Sequence, residues 1–274
     1  MTNAAVGVDR LGAAWTALRA FFAEGMPALE RATEGFAATE GEVRAAGDVD
    51  RLVLWLLGSA TALRYSRRPE PMDIGLARAR ELVNVVGRAQ DEIATVSYRT
   101  LVEGTCRDLA WVVPSQAAAY VEEGLDYADR TGRLAKRAGR DDWLAQAQAS
   151  RGDLLLEAAT ERRSLRKALT AHEDARRRWP PRDPYGRAQA ALGYARVLLA
   201  LREAARAELV VRETLAVFEA QRDRYHEAAA RELAARALFA QDQSDALDEQ
   251  AAAIALYRAL DSRWEMKRSE AALG

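Results

Sequence analysis

The sequence predicts an all-α fold: a right-handed superhelical solenoid of about six antiparallel helical hairpins. Three observations carry this. Apolar residues recur at helical spacing along nearly the whole chain, and no stretch alternates as a half-buried strand would. Ala is abundant, Ile occurs only at 74, 93 and 254, and 30% of the residues are charged, a mixture that favours helices with solvated outer faces over a buried sheet. Finally, a short phrase returns four times, as "RDDW" (140–143), "RDPY" (182–185), "RDRY" (222–225) and "DSRW" (261–264). Its closing aromatics, Trp143, Tyr185, Tyr225 and Trp264, are 42, 40 and 39 residues apart.

Taken in order, the periodicity predicts helices over 8–24, 28–46, 49–66, 73–89, 91–112, 115–131, 142–158, 161–178, 184–200, 203–221, 224–240, 244–260 and 263–273. The longest apolar stretch, "LVLWLLGSATAL" (52–63), is bounded by Arg51 and Arg64 and is too short to span a bilayer as a helix. The breaks "RRPEP" (67–71) and "WPPR" (179–182) place proline where a helix must stop. Gly132 and Gly139 are expected to supply positive φ at helix ends. Asp183 before Pro184 reads as an N-cap acceptor followed by a first-turn proline. Ser262 and Glu265 have the spacing of a capping box, and Asp141 and Asp142 read as capping residues.

Sliding 214–235 by 39 positions onto 253–274 sets Phe218 over Tyr257, Ala220 over Ala259, Arg224 over Arg263 and Tyr225 over Trp264. Each unit is a helix, a break holding Asp or Ser, an aromatic one turn into the next helix, and a second helix. Ala207, Val211 and Thr214, and again Ala246, Gln250 and Ala253, fall on one helical face. Small side chains there let neighbouring helices approach closely. The recurring aromatic is therefore expected to be architectural, a plug between successive hairpins.

On the residues "RDRYHEAAARELAARAL" (222–238) and "ALDEQAAAIALYRALDSR" (246–263), the segment 183–274 resembles tetratricopeptide repeats, in particular the longer units of bacterial multidomain regulators. Its units run 39–42 residues, Leu233-Ala234 stands where a Leu-Gly step is usual, and no repeat-ending proline recurs. The domain organisation expected is an N-terminal helical cap over 1–47 and a repeat array over 48–274.

Motifs for chemistry are missing. "HEAAA" at 226–230 lacks the second His of a helical zinc pair, and neither a Gly-rich phosphate loop with Lys-Ser/Thr nor G-x-G-x-x-G after a strand occurs. With one Cys and two His, no cofactor or metal is expected. Cys106 reads as a small buried hydrophobe and His172 as part of a solvated helix face. A lone Cys suits a reducing compartment, and the start, "MTNAAVGVDRLG", has no signal-peptide pattern; a cytoplasmic protein without membrane partners is expected.

Two charge runs stand out: 161–182, with eight basic and three acidic residues, and 241–250, with four acidic residues and no basic one. The first is a candidate dock for an acidic segment or phosphate-bearing ligand. Near balance overall, at net charge −1, disfavours nucleic acid. A solenoid recognises partners along its concave face, and the repeat alignment places Gln146, Ser150, Gln189, Arg196, Arg231 and Glu232 there. The function expected is a non-catalytic protein or peptide interaction module acting as scaffold, adaptor or regulatory subunit. A sensor of a small molecule or signal peptide is the alternative, with an all-α enzyme ranked below both. The last helix is a candidate surface for self-association.

Overall fold

The structure, a computed structural model, describes the backbone of residues 3–88 and 92–271. Among the described residues it contains thirteen α-helices, one 3-10 turn and no strand. The fold class is that of an α-helical solenoid, as expected. The chain divides into two compact units, Met1–Leu134 and Ala135–Gly274.

The first unit holds α1 (Asn3–Glu24), α2 (Met26–Ala45), α3 (Val49–Tyr65), α4 (Pro69–Arg88), α5 (Glu92–Val112) and most of α6 (Ala117–Arg137). Consecutive helices α1 to α5 pack as antiparallel neighbours, and α1 also packs on α3, and α3 on α5. Gly25, at φ 81°, turns α1 into α2, a conformation that costs glycine no Cβ clash. The apolar stretch 52–63 lies within α3 and buries Trp55, Leu56, Ala60 and Ala62. The Trp55 indole N–H donates to the Phe36 carbonyl at 2.8 Å, so the largest core ring leaves no polar atom unpaired. α6 is tied to α4 by Tyr120–Asp73 (2.8 Å) and Arg80–Glu123, and to α5 by Thr131–Glu103 (2.9 Å).

Two sequence expectations fail here. The break at 67–71 is shorter than expected, because Pro69 begins α4 rather than interrupting it; its missing N–H is one a first helical turn leaves unpaired anyway. Gly132 does not end α6, which runs on to Arg137 and buries Leu134 and Ala135. Packing of those side chains outweighs glycine's weak helix propensity. Gly139, at φ 64°, ends the segment as expected.

Asp108 on α5 is completely buried. Its Oδ2 accepts from Arg64 Nε at 2.7 Å and lies 2.9 Å from Arg67 Nη1, while Oδ1 accepts from Arg107 at 2.7 Å. Burial alone would raise its pKa, but Arg107, Arg64 and Arg67 hold the carboxyl well below the ordinary range.

The second unit holds α7 (Asp141–Glu157), α8 (Arg162–Arg178), α9 (Pro184–Ala200), α10 (Ala204–Gln221), α11 (Arg224–Phe239), α12 (Ala246–Ala259) and α13 (Arg263–Ala271). α7, α9, α11 and α13 begin at intervals of 43, 40 and 39 residues. The first helices of successive hairpins pack on one another directly, α7 on α9 and α9 on α11. The small-residue ladder is buried throughout, Ala207, Val211 and Thr214 on α10 and Ala246, Gln250 and Ala253 on α12.

The turns share one device. After α9, α10, α11 and α12 a single residue, Arg202, Arg222, Asp242 or Asp261, takes positive φ between 50° and 64°. The next amide then reaches back five residues: Glu203 to Leu198, Asp223 to Phe218, Gln243 to Leu238 and Ser262 to Tyr257, at 2.8–3.1 Å. This is the wider hydrogen bond of a Schellman closure. Asp183 and Asp223 cap α9 and α11 by accepting from Gly186 N (2.8 Å) and His226 N (3.0 Å). The capping box at 262–265 does not form. Ser262 Oγ is buried without a hydrogen-bond partner among the described residues, and Glu265 instead accepts from the Tyr225 hydroxyl at 2.7 Å. Asp141 and Asp142 likewise lie inside the first turn of α7, with Arg140 at the cap position. Negative charge is favourable in that first turn.

Tyr225 explains the repeated aromatic. From the start of α11 it bonds α13, one unit on, and Tyr185 at the start of α9 donates to Asp223 Oδ2 at 2.5 Å, again one unit on. In these two hairpins the aromatic is a tie between units, as the sequence reading had it.

Replacing Asp108 by Asn should cost about 3–5 kcal/mol in denaturant unfolding, because it leaves buried guanidiniums without a counter-charge. A carboxyl with a depressed folded pKa stabilises above its unfolded pKa of about 3.9 and loses that contribution as pH falls toward the folded value. The gap between wild type and Asp108→Asn should therefore be full at neutral pH and narrow progressively below about pH 5. Arg222→Gly should raise stability by about 0.5–1 kcal/mol, relief of about 1–2 kcal/mol of left-handed strain less glycine's greater unfolded entropy.

Candidate interaction face

Helices α7, α9 and α11 position the residues expected to meet a partner. Gln146 and Ser150 on α7 are half-buried, and Gln189 on α9 is exposed. The Gln189 amide donates to the Tyr185 hydroxyl at 3.3 Å and stands 3.5 Å from His226 Nε2. Arg196, farther along α9, donates to Glu157 of α7 at 2.5 Å.

The other two are committed to internal contacts. Arg231 on α11 bonds Glu227, Glu249 and Glu219 at 2.9–3.1 Å, spanning α10, α11 and α12. Glu232 is buried at 3% exposure, where it accepts from Tyr257 at 3.2 Å and from Arg268 at 2.5 Å. Arg231 thus reaches α10 and α12 and Glu232 reaches α12 and α13, a difference that follows from the 100° separating adjacent helical residues.

Arg236, which sequence reasoning missed, is an exposed guanidinium in the last turn of α11. It makes no ion pair or hydrogen bond with the described side chains. Desolvation by the surrounding protein lowers its pKa; Arg196 and Arg268 lower it further, while Glu232 opposes them. Arg196 and Arg236 are 40 residues apart, so sliding the repeat by that interval pairs them. The arrangement places a cation on a face that also carries the amide of Gln189 and the hydroxyl of Tyr185.

The remaining reactive residues are structural. Cys106 is completely buried, and burial pushes its thiol well above the ordinary range. His226 Nδ1 lies 2.7 Å from Asp223 Oδ2. Burial raises the Asp223 carboxyl, but bonds from His226 and Tyr185 bring it below its usual value. His172 overturns the expectation of a solvated face, since it is 1% exposed on α8. It fills a slot between two glycines: a Cβ on Gly152 would stand 2.5 Å from its Cδ2, and one on Gly193 2.7 Å from its Cε1. Ala168, Ala171 and Ala175, on the same side of α8 and equally buried, were the available signal. Among the described residues no group of three or more His, Cys, Asp or Glu could hold a metal ion. No helix searched is long and apolar enough to cross a membrane.

No protein-family model matches the chain, and no curated protein matches it. Solved structures do. The apo form of RapI aligns over 97% of this chain and 95% of its own, with a TM-score of 0.61 and 11% identity. BtubC from P. vanneervenii aligns over 86% of this chain and 92% of its own, with a TM-score of 0.50 and 13% identity. At such identities the likeness is one of fold, that of a helical-repeat protein.

Gly152→Ala should destabilise by about 1–3 kcal/mol, because its methyl overpacks against the imidazole. In the Gly152→Ala, His172→Ala double variant the vacated slot should admit the methyl. Thermal or urea unfolding should then show a combined loss smaller than the two single losses added.

Proposed function

We propose that the chain is a non-catalytic protein-interaction module, serving as scaffold, adaptor or regulatory subunit of a bacterial cytoplasmic complex. In this reading the array is of the long-unit tetratricopeptide type, with 1–47 as its N-terminal cap. A partner segment lies along α7, α9 and α11, with Gln146, Ser150 and Gln189 bonding its backbone and Arg196 beside Arg236 holding a carboxylate. Arg231 and Glu232 shape the face from behind.

The observation that supports this reading is Arg236. Folding gains little from an unpaired, partly dehydrated cation flanked by two others, whereas a bound carboxylate would relieve it. The likeness to RapI contributes the fold only.

The test is affinity capture of the tagged chain from its native cells, compared with Arg236→Gln. The wild type should retain a stoichiometric protein whose affinity falls about tenfold or more in the variant. The midpoint of unfolding should not fall, because Arg236 forms no ion pair to lose. Undiminished capture by Arg236→Gln would refute the site. Recovery of the bare chain alone would refute a stable complex.

A further inference from the structure

A second surface of the unit lies on the other side of α9. Trp179, Pro184, Ala188, Ala191 and Val217, from the end of α8, the start of α9 and the second half of α10, enclose a pocket of about 200 Å³. A cavity of about 150 Å³ accepts benzene, so this pocket has room for one large apolar side chain. Its lining includes Ala190 beside Ala188 and Ala191, and the Trp179 indole N–H already donates to Asp183 Oδ2 at 3.2 Å. Arg176, Arg187, Glu213 and Thr214 also line the pocket. Arg176 lies 4.0 Å from Glu213, and exposed Arg187 makes no ion pair or hydrogen bond with a described side chain.

The same helix α8 brings more positive charge. Arg162, Arg163, Arg166 and Lys167 occupy its first two turns, all exposed. None forms a side-chain ion pair or hydrogen bond with the described residues. Their position is unfavourable, since the N-terminal end of a helix already carries positive potential, and no acidic residue offsets them in the first turn. The charge at the C-terminal end is different: Arg178 pairs with Asp174 and Asp141, and Arg177 with Asp174. The unpaired cations thus lie at the wrong end of the helix for its stability, and the apolar pocket lies at the other.

We propose that this surface docks an acidic segment of a partner protein, which inserts one large apolar side chain between α8 and α10 while its carboxylates follow Arg187 and the cations of α8. The combination favours a peptide over a nucleic acid. A pocket lined largely by alanine, valine, proline and tryptophan rewards an aliphatic or phenyl group, and a single tryptophan offers no succession of stacking surfaces. This site is separate from the face of α7, α9 and α11, so the chain joins two partner segments rather than holding one.

The test is selection of a displayed random peptide library on the full-length chain, followed by fluorescence polarisation with the enriched peptide. Enrichment of Asp and Glu around one Leu, Ile, Met or Phe is expected. Changing that apolar residue to Ala should weaken binding about tenfold or more. Arg187→Glu and Ala190→Trp in the chain should each do the same, with unchanged circular dichroism, while Arg166→Glu, Lys167→Glu should weaken binding and flatten its salt dependence. Arg236→Gln should leave it intact, which separates this site from the one above. Enrichment of basic or uncharged peptides, or loss of binding through Arg236→Gln instead of Arg187→Glu, would overturn the proposal. Two other results would reassign the surface: an RNA oligomer that displaces the peptide and binds more tightly, or a chain dimer in sedimentation that Arg187→Glu dissolves.

Discussion

Four connections of the second unit, those after α9, α10, α11 and α12, turn on a single left-handed residue. A helix ends, one residue swings into the left-handed region, and the next residue is already at or near the cap of the following helix. With so short a connection the two helices can only fold back on each other, which is the condition for a hairpin. The closure pairs an amide and a carbonyl that helix ends would otherwise leave open, yet the swinging residue is Arg or Asp rather than glycine. Left-handed backbone in such residues costs about 1–2 kcal/mol each, so side-chain burial beyond the turn must offset it. Phe218, Leu238 and Tyr257 supply that burial: each is the acceptor residue of its closure and almost wholly removed from solvent.

Hairpins made this way still have to be stacked in register, and the stacking is done at the same place. Asp223 caps α11, binds the His226 ring and takes the hydroxyl of Tyr185 from the preceding unit. One carboxylate therefore fixes a helix start and its distance from the last hairpin. Glu265 performs the second of these tasks for Tyr225. At two of its four occurrences the phrase that recurs in the sequence marks such a tie: Tyr185 and Tyr225, just inside their helices, reach forward about 40 residues to Asp223 at the next break and to Glu265 within α13. In the first unit the comparable cohesion is ionic, with α3 and α5 joined through Asp108 and its guanidiniums.

Much of this was legible because it is periodic. Helix positions, the buried ladder of small residues and the structural part played by Tyr185 and Tyr225 all follow from spacing. What escaped depends on rotation about a helix rather than position along it. Arg231 and Glu232 are adjacent in sequence and point toward different neighbours, so a register error of one residue is enough to exchange a surface group for a buried one. The left-handed turns escaped for another reason, since nothing in Arg222 or Asp261 announces positive φ as glycine would. His172 was hidden by its polar neighbours Glu173 and Asp174, although the glycines that accommodate it lie in other helices and no local pattern connects them.

The distribution of unpaired charge separates the architecture from its use. Many cations of the second unit are neutralised in the fold, several by carboxylates three or four residues away or in the adjoining helix. Arg236, Arg187 and the leading cations of α8 are not, and each stands where electrostatics makes it unfavourable or leaves it idle: near other guanidiniums, in a pocket lining, or at the positive end of a helix dipole. A sequence constrained by stability alone would exchange them for Gln or Glu at little cost to packing, since all are exposed. They lie on two faces of the same hairpins rather than around a closed cavity. Repeats that must bury their own apolar faces against neighbours leave their outer surfaces for recognition, and the uncompensated charge lies on those surfaces.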